Sequence, residues 1–288
     1  MGGTGKTPAT IALAQESLKR GFKPCILTRG YGGKKRGVCF VGKGDGPLIN
    51  ASDGGDEPVL MAYKLKGAMI VKGKNRFQAG LAAQNDCNLF ILDDGFQHWA
   101  LDRDVNIVLL DSERPFGKNG RLFPEGILRE PLESLARAHF IVLTRYAQTD
   151  LYELTQTIRR YNHKAPIYTA SHVPRCLVND QWQPFDLNTL AGKKVFAFAG
   201  IAKPQSFQNL LRSLQADTVV FKAFPDHYSY RQKDIRQILA QSQGLDIITT
   251  EKDMVRLVGT PLSPKLKALA IEFEINNPLF YDAVLGDL

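Results

Sequence analysis

The chain has 288 residues, 44% of them hydrophobic, enough for one large or two modest globular domains with a sizeable core. Its 37 Lys and Arg against 29 Asp and Glu leave a net charge of +8, which suits a nucleotide, a phosphorylated substrate, nucleic acid or an anionic membrane without choosing among them. No apolar run approaches the ~20 residues of a spanning helix. Cys25, Cys39, Cys87 and Cys176 are too dispersed for a structural zinc site, and Cys25 and Cys87 sit by apolar stretches, as reduced cysteines of a cytoplasmic protein do.

The first element is a loop, Gly2-Gly3-Thr4-Gly5-Lys6-Thr7, followed by helical spacing over 8–20. It matches all but the first glycine of G-x-x-x-x-G-K-[ST], a phosphate-binding loop that joins a strand to a helix. The missing position falls upstream of Met1, so the expectation is that an N-terminal segment, at least the first strand, precedes this sequence. Short apolar runs at 24–28, 89–92, 105–110 and 140–144 then read as buried strands, with a further helix over 75–84. A Pro-punctuated stretch, 165–184, holds two extended pieces around Asn179-Asp180, a hairpin pattern. Beyond it, strands at 195–199, 218–221 and 246–250 alternate with helices at 205–214 and 231–241. The pattern predicts an α/β protein: a P-loop NTPase-type three-layer α/β/α domain over 1–164, a two-stranded linker over 165–185, and a smaller α/β domain over 186–288.

Phosphate chemistry follows from the loop. Closely spaced glycines bring backbone N–H groups to phosphate oxygens, the helix start adds positive potential, Lys6 reaches the β- and γ-phosphates, and the Thr7 hydroxyl serves Mg²⁺. The strand at 89–92 ends in Asp93 and Asp94, carboxylates suited to Mg²⁺ at the sheet edge, with the choice between them open. Gln97 and His98 follow directly. Arg29-Gly30-Tyr31-Gly32-Gly33 reads equally as a ligand loop or a mobile surface turn. Gly55-Asp56-Glu57-Pro58 places acids at a helix start, where capping suffices to explain them. His227, in Phe224-Pro225-Asp226-His227, is a loop histidine whose role depends on its neighbours, and Thr249-Thr250-Glu251-Lys252-Asp253 is either a crevice edge or a helix start.

Taken in order, G-G-T-G-K-T-P, R-G-Y-G, G-D-E-P, K-N-R (Lys74 to Arg76), D-D-G-F-Q-H (Asp93 to His98), L-R-E-P (Leu128 to Pro131), A-G-I-A-K-P (Ala199 to Pro204), F-P-D-H and T-T-E-K-D resemble the tetraacyldisaccharide 4′-kinase family over almost the whole chain. The resemblance implies ATP- and Mg²⁺-dependent phosphorylation of the 4′-hydroxyl of an acylated glucosamine disaccharide 1-phosphate, giving lipid IVA, on the cytoplasmic side of the inner membrane of a Gram-negative bacterium. It implies two α/β/α domains joined by a two-stranded linker with the active site in the cleft, and Asp56 as catalytic base paired with His227. Arg76, Gln97, His98, Arg129 and Glu130 would line the site where phosphates and sugar meet. Neither nucleic acid nor an obligate protein partner is implied. Family members carry a further hydrophobic N-terminal segment that helps seat them on the membrane. The alternative from a different class is a partitioning or metallochaperone NTPase switch, whose K-G-G-x-G-K-T loop would need Lys where this chain has Met1.

Overall fold

The computed structural model describes residues 5–117, 120–145 and 150–286; Gly2, Gly3 and Thr4 of the expected ATP-binding loop lie outside them. In chain order, α1 (Lys6–Lys19) leads to β1 (Pro24–Thr28), β2 (Cys39–Lys43), α2 (Ala51–Gly54), α3 (Asp56–Lys64), β3 (Met69–Lys72), α4 (Arg76–Ala83) and β4 (Leu89–Leu92). Then come β5 (Ile107–Asp111), β6 (Phe140–Thr144), α5 (Leu151–Tyr161), β7 (Ile167–Val178) and β8 (Pro184–Phe185). The remainder is β9 (Lys194–Ala199), α6 (Pro204–Ser213), β10 (Asp217–Ala223), α7 (Gln232–Ser242), β11 (Asp246–Thr250), α8 (Glu251–Leu257), β12 (Leu266–Ile275) and α9 (Leu279–Leu285). The α/β alternation expected from the apolar runs is present, with mostly parallel pairing.

Two compact units interleave along the sequence: Met1–Gly21, Leu92–Val173 and Phe273–Leu288 form one, and Phe22–Ile91 with Pro174–Glu272 form the other. In the first unit, β5, β6 and β7 pair in parallel, Val108 opposite Ile141 and Val142 opposite Tyr168. Ile141 and Leu143 of β6 join Leu154 and Ile158 of α5 in its core, the i, i+4 spacing placing both helix residues on one face. α1 buries Thr7, Ile11, Ala14 and Ser17, a stripe that recurs every three or four residues.

In the second unit, β1 lies between β3 and β4, and β2 closes the sheet antiparallel to β3. β1 is buried along its whole length, as a Pro-Cys-Ile-Leu-Thr strand covered on both faces must be. A second layer in this unit runs β10, β9, β11, β12, all parallel, with Phe196 and Phe198 on one core and Val195 and Ala197 on another. Alternation along β9 thus feeds both faces of its sheet. The hairpin expected around Asn179-Asp180 is present: Leu177 pairs with Phe185, and Asn179 Oδ1 accepts the amides of Gln181 (3.1 Å) and Gln183 (2.9 Å). Among the described residues, no helix is long and apolar enough to cross a membrane.

Candidate active site

The first unit carries the start of α1 at Gly5, Lys6 and Thr7. Gly5 caps α1 with φ 86°, a left-handed conformation, and a Cβ there would sit 2.6 Å from His172 Nε2. Only glycine meets both conditions. The orphan amides at the start of α1 and its dipole are what an anion binds. Thr7 is buried at the first turn, and Lys6 Nζ lies 3.5 Å from Asp94 Oδ1. Asp94, itself at φ 53°, gives its second oxygen to Arg129 NH1 at 2.6 Å. Burial alone would raise the Asp94 pKa, but Lys6 and Arg129 outweigh it and hold the carboxyl below its ordinary range. Asp93 is buried and accepts a long hydrogen bond, 3.4 Å, from Thr10 Oγ1 of α1.

The D-D-G-F-Q-H and L-R-E-P motifs form a clasp. Besides the Arg129–Asp94 pair, Glu130 pairs with Arg137, whose guanidinium stacks over the rings of Phe96 at 4.5 Å and Trp99 at 4.1 Å. Gln97 and His98 are half-buried on that loop; the His98 amide donates to Gly95 O at 2.9 Å and its carbonyl accepts from Arg103. Behind Gly5, His172 packs edge-on against Phe273, ring centroids 5.4 Å apart. Burial, reinforced by Arg145 and opposed by Asp111, pushes the His172 pKa down to about 4, so this imidazole is neutral at physiological pH. Arg145 is itself paired with Asp111 at 2.7 Å.

The second unit carries a buried carboxylate. Gly55, at φ 92°, turns the chain into α3 so that Asp56 opens the helix, its side chain only 8% exposed. Asp56 Oδ2 accepts from Arg256 through Nε at 3.0 Å and through the terminal NH2, and lies 3.0 Å from His227 Nδ1. An ionised carboxylate only accepts, so His227 carries its proton on Nδ1 in this pair. Oδ1 takes the Glu57 amide at 3.1 Å. Burial pushes Asp56 upward, but Arg256 first and then His227 and Lys252 pull it below the ordinary carboxylate range.

Arg256 is fixed in turn: NH1 donates to Gly200 O (2.9 Å) and Asp253 Oδ1 (3.0 Å), while Asp253 accepts from Tyr230 OH (2.7 Å), Thr250 Oγ1 (2.6 Å) and the Gly200 amide (3.0 Å). The T-T-E-K-D segment is therefore a helix start, Thr250 capping α8 through the Asp253 amide. The A-G-I, D-H and T-T-E-K-D motifs thus meet around Arg256, which bridges Asp56, held by His227, to Asp253, held by Gly200 and Thr250. In the R-G-Y-G-G loop, Gly33 N donates to Gly30 O at 3.2 Å, and the exposed Tyr31 ring lies edge-on to His227 at 5.9 Å. Arg76 is buried at the start of α4, NH1 donating to the carbonyls of Gly73 (3.1 Å) and Lys74 (3.2 Å). Sequence reasoning missed Arg256, Arg137 and His172. Only Arg256 left a trace, an arginine three residues after Asp253 on the same helix.

The residues fit Mg²⁺. A hard octahedral ion asks for one or two carboxylate oxygens and keeps several waters, so the Thr7 hydroxyl with the buried Asp93 carboxylate supplies the right donor type beside the phosphate turn.

A glycine-turned helix start, a lysine paired with an acid at a strand end and a separately clamped carboxylate define a P-loop phosphotransferase. All 288 residues match the family described as LpxK, tetraacyldisaccharide-1-P 4'-kinase. Tetraacyldisaccharide 4'-kinase of Syntrophus aciditrophicus is 41% identical over 89% of this chain and 72% of its own length, and that of Anaeromyxobacter sp. (strain Fw109-5) 38% identical over 96% and 76%. A crystal structure of LpxK from Aquifex aeolicus in complex with ATP superposes with a TM-score of 0.81 at 31% identity, covering 100% of this chain and 84% of that one. The chain belongs to the tetraacyldisaccharide 4'-kinase family. It is a kinase of lipid A biosynthesis, which sets aside the partitioning or metallochaperone alternative.

Proposed function

We propose that Asp56 is the base that accepts the proton of the sugar 4'-hydroxyl as the γ-phosphoryl group of ATP is transferred to it, yielding lipid IVA from the acylated disaccharide 1-phosphate. The observation that carries this reading is the fixed, ionised Asp56 at the start of α3, with His227 and Arg256 on Oδ2. Oδ2 is saturated by these donors, so Oδ1 is the oxygen left to take the proton. A carboxylate of lowered pKa suffices, because a loose phosphoryl-transfer transition state asks little deprotonation of the attacking oxygen. His227 positions the carboxylate, and Arg256 keeps it charged in its buried setting.

At the phosphate end, Lys6 neutralises the β- and γ-phosphates, and the amides at the start of α1 face them. Mg²⁺, when bound, offsets charge on the transferring phosphoryl group; Thr7 and the buried Asp93 are its proposed holders, with Asp94, paired to Lys6 and Arg129, the other candidate carboxylate. Arg129 would then be free to meet substrate anions by exchanging its Asp94 partner. Glu130 sets the clasp through Arg137, while Gln97, His98 and Arg76 complete the substrate surroundings. The reading further assigns 1–164 to the kinase domain, 165–185 to a linker and 186–288 to a smaller domain. It places the enzyme peripherally on the cytoplasmic face of the inner membrane.

The test is transfer of label from γ-labelled ATP to the disaccharide 1-phosphate by wild type and by Asp56→Ala. Nucleotide affinity retained with label transfer lost supports the assignment; transfer at the wild-type rate in Asp56→Ala removes Asp56 as base.

A further inference from the structure

We infer that the loop 120–128 is an element by which this enzyme contacts an anionic phospholipid bilayer, an inference that rests on the peripheral-membrane part of the proposed function. Phe123 stands 70% exposed at its tip, flanked by Leu122 at 44% and Ile127 at 45%. Isolated exposed apolar residues need no explanation, but three within one short loop do. The loop is an ordered display. Phe123 N donates to Leu128 O at 2.8 Å, Gly126 N to Leu122 O at 2.9 Å and Leu128 N to Arg121 O at 3.2 Å, while Arg121 pairs with Glu125 at 2.9 Å. Ile127 rests on Gly117, where a Cβ would come within 2.8 Å of its Cγ1. Holding these rings and branches in water has no folding benefit, so their exposure calls for an apolar partner.

The chemistry around the tip selects a lipid surface. Trp99, 65% exposed, stacks on Arg137, which pairs with Glu130 just beyond the loop, and an exposed tryptophan beside an arginine is a composition that settles at a headgroup boundary. Glu125 and Glu130 are each paired with an arginine, which softens their repulsion from anionic lipid, and the chain's net charge of +8 favours the same partner. The loop also continues directly into Arg129, six residues beyond Phe123 and paired with Asp94 beside Lys6. Insertion of the tip would thus set the phosphate end at the depth of a lipid headgroup, where the tetraacylated substrate presents its sugar.

The test is co-sedimentation of the full chain with mixed phosphatidylethanolamine and phosphatidylglycerol vesicles, comparing wild type with Phe123→Asp, Leu122→Asp and the control Val219→Asp on exposed β10. Either loop variant is expected to lower vesicle partitioning by about tenfold or more, with an unchanged melting temperature, while Val219→Asp partitions like wild type. Leu122→Asp keeps the test decisive should Phe123→Asp fail to fold. Wild-type partitioning in folded loop variants overturns the loop assignment. No partitioning by wild type overturns both the loop and the peripheral-membrane reading, and label transfer to detergent-dispersed substrate tells separately whether the kinase reading stands.

Discussion

The two carboxylates Asp94 and Asp56 are held in opposite ways. Asp94, beside the phosphate turn, is 38% exposed and shares its charge with Lys6 and Arg129, both of them partly in water. Asp56, in the other unit, is 8% exposed and bound to an Arg256 side chain that is itself 9% exposed. The difference is one of replaceability. Solvated ion pairs contribute little to stability and are easily exchanged for phosphate oxygens, whereas a buried carboxylate stripped of its cation has nowhere to place its charge.

The largest effect expected from this contrast is on folding. Arg256→Ala leaves Asp56 and Asp253 without their shared cation and should lower stability by about 3–5 kcal/mol in urea unfolding. A loss below ~1 kcal/mol would mean that the Asp56 site is as wet as the Asp94 site. Next is Gly5→Ala, which combines a positive φ with the close approach of His172. It should weaken ATP binding by about tenfold or more, with a smaller loss of ~1–3 kcal/mol in stability. Calorimetric titration with ATP checks it, and affinity equal to wild type would mean that the turn does not depend on this packing.

An acid titration sharpens the comparison further. The folded-state pKa of His172 is depressed to about 4, so the unfolded chain gains a proton that the folded chain refuses as pH falls from ~6.5 towards 4, and stability declines over that window. Asp56 and Asp94 have lowered pKa values, so the stability they contribute is present above the unfolded carboxylate range and disappears as pH drops through their folded values. His172→Phe should therefore flatten the decline above pH ~5 while leaving the lower, carboxylate part in place. Melting curves at stepped pH decide; an unaltered slope contradicts a neutral buried His172. The smallest stability effect belongs to Arg129→Ala, within about 1 kcal/mol of wild type because its partner is solvated, although turnover should fall if Arg129 meets the substrate.

What the sequence could reveal tracks how local the cause is. β1, β6, β9 and β11 stand out as unbroken apolar runs bounded by turn residues, and each lies where its run is. β2 hides because Gly42 interrupts it at a register shift, and β12 because Lys267, Glu272 and Glu274 break its apolar pattern on partly exposed positions. The helix start at Gly5, Lys6 and Thr7 was legible because its residues are adjacent in sequence, while Gly2, Gly3 and Thr4 lie outside the described residues. The Asp56 cluster was legible only through the family resemblance: taken alone, Asp56 reads as a helix-start acid and His227 as a loop histidine. Arg256, 200 residues from Asp56, reads as a solvated helix residue until the fold brings them together. Long-range pairing of single charges leaves no periodicity to read.

The central claim is that Asp56, held charged by Arg256 and positioned by His227, takes the proton from the acceptor sugar. Its most direct test is single-turnover transfer from γ-labelled ATP to the disaccharide 1-phosphate by Asp56→Asn, which keeps the size of the side chain and removes its basicity. The account predicts a fall of about a hundredfold or more in the transfer rate with ATP affinity unchanged. Transfer at the wild-type rate would contradict it.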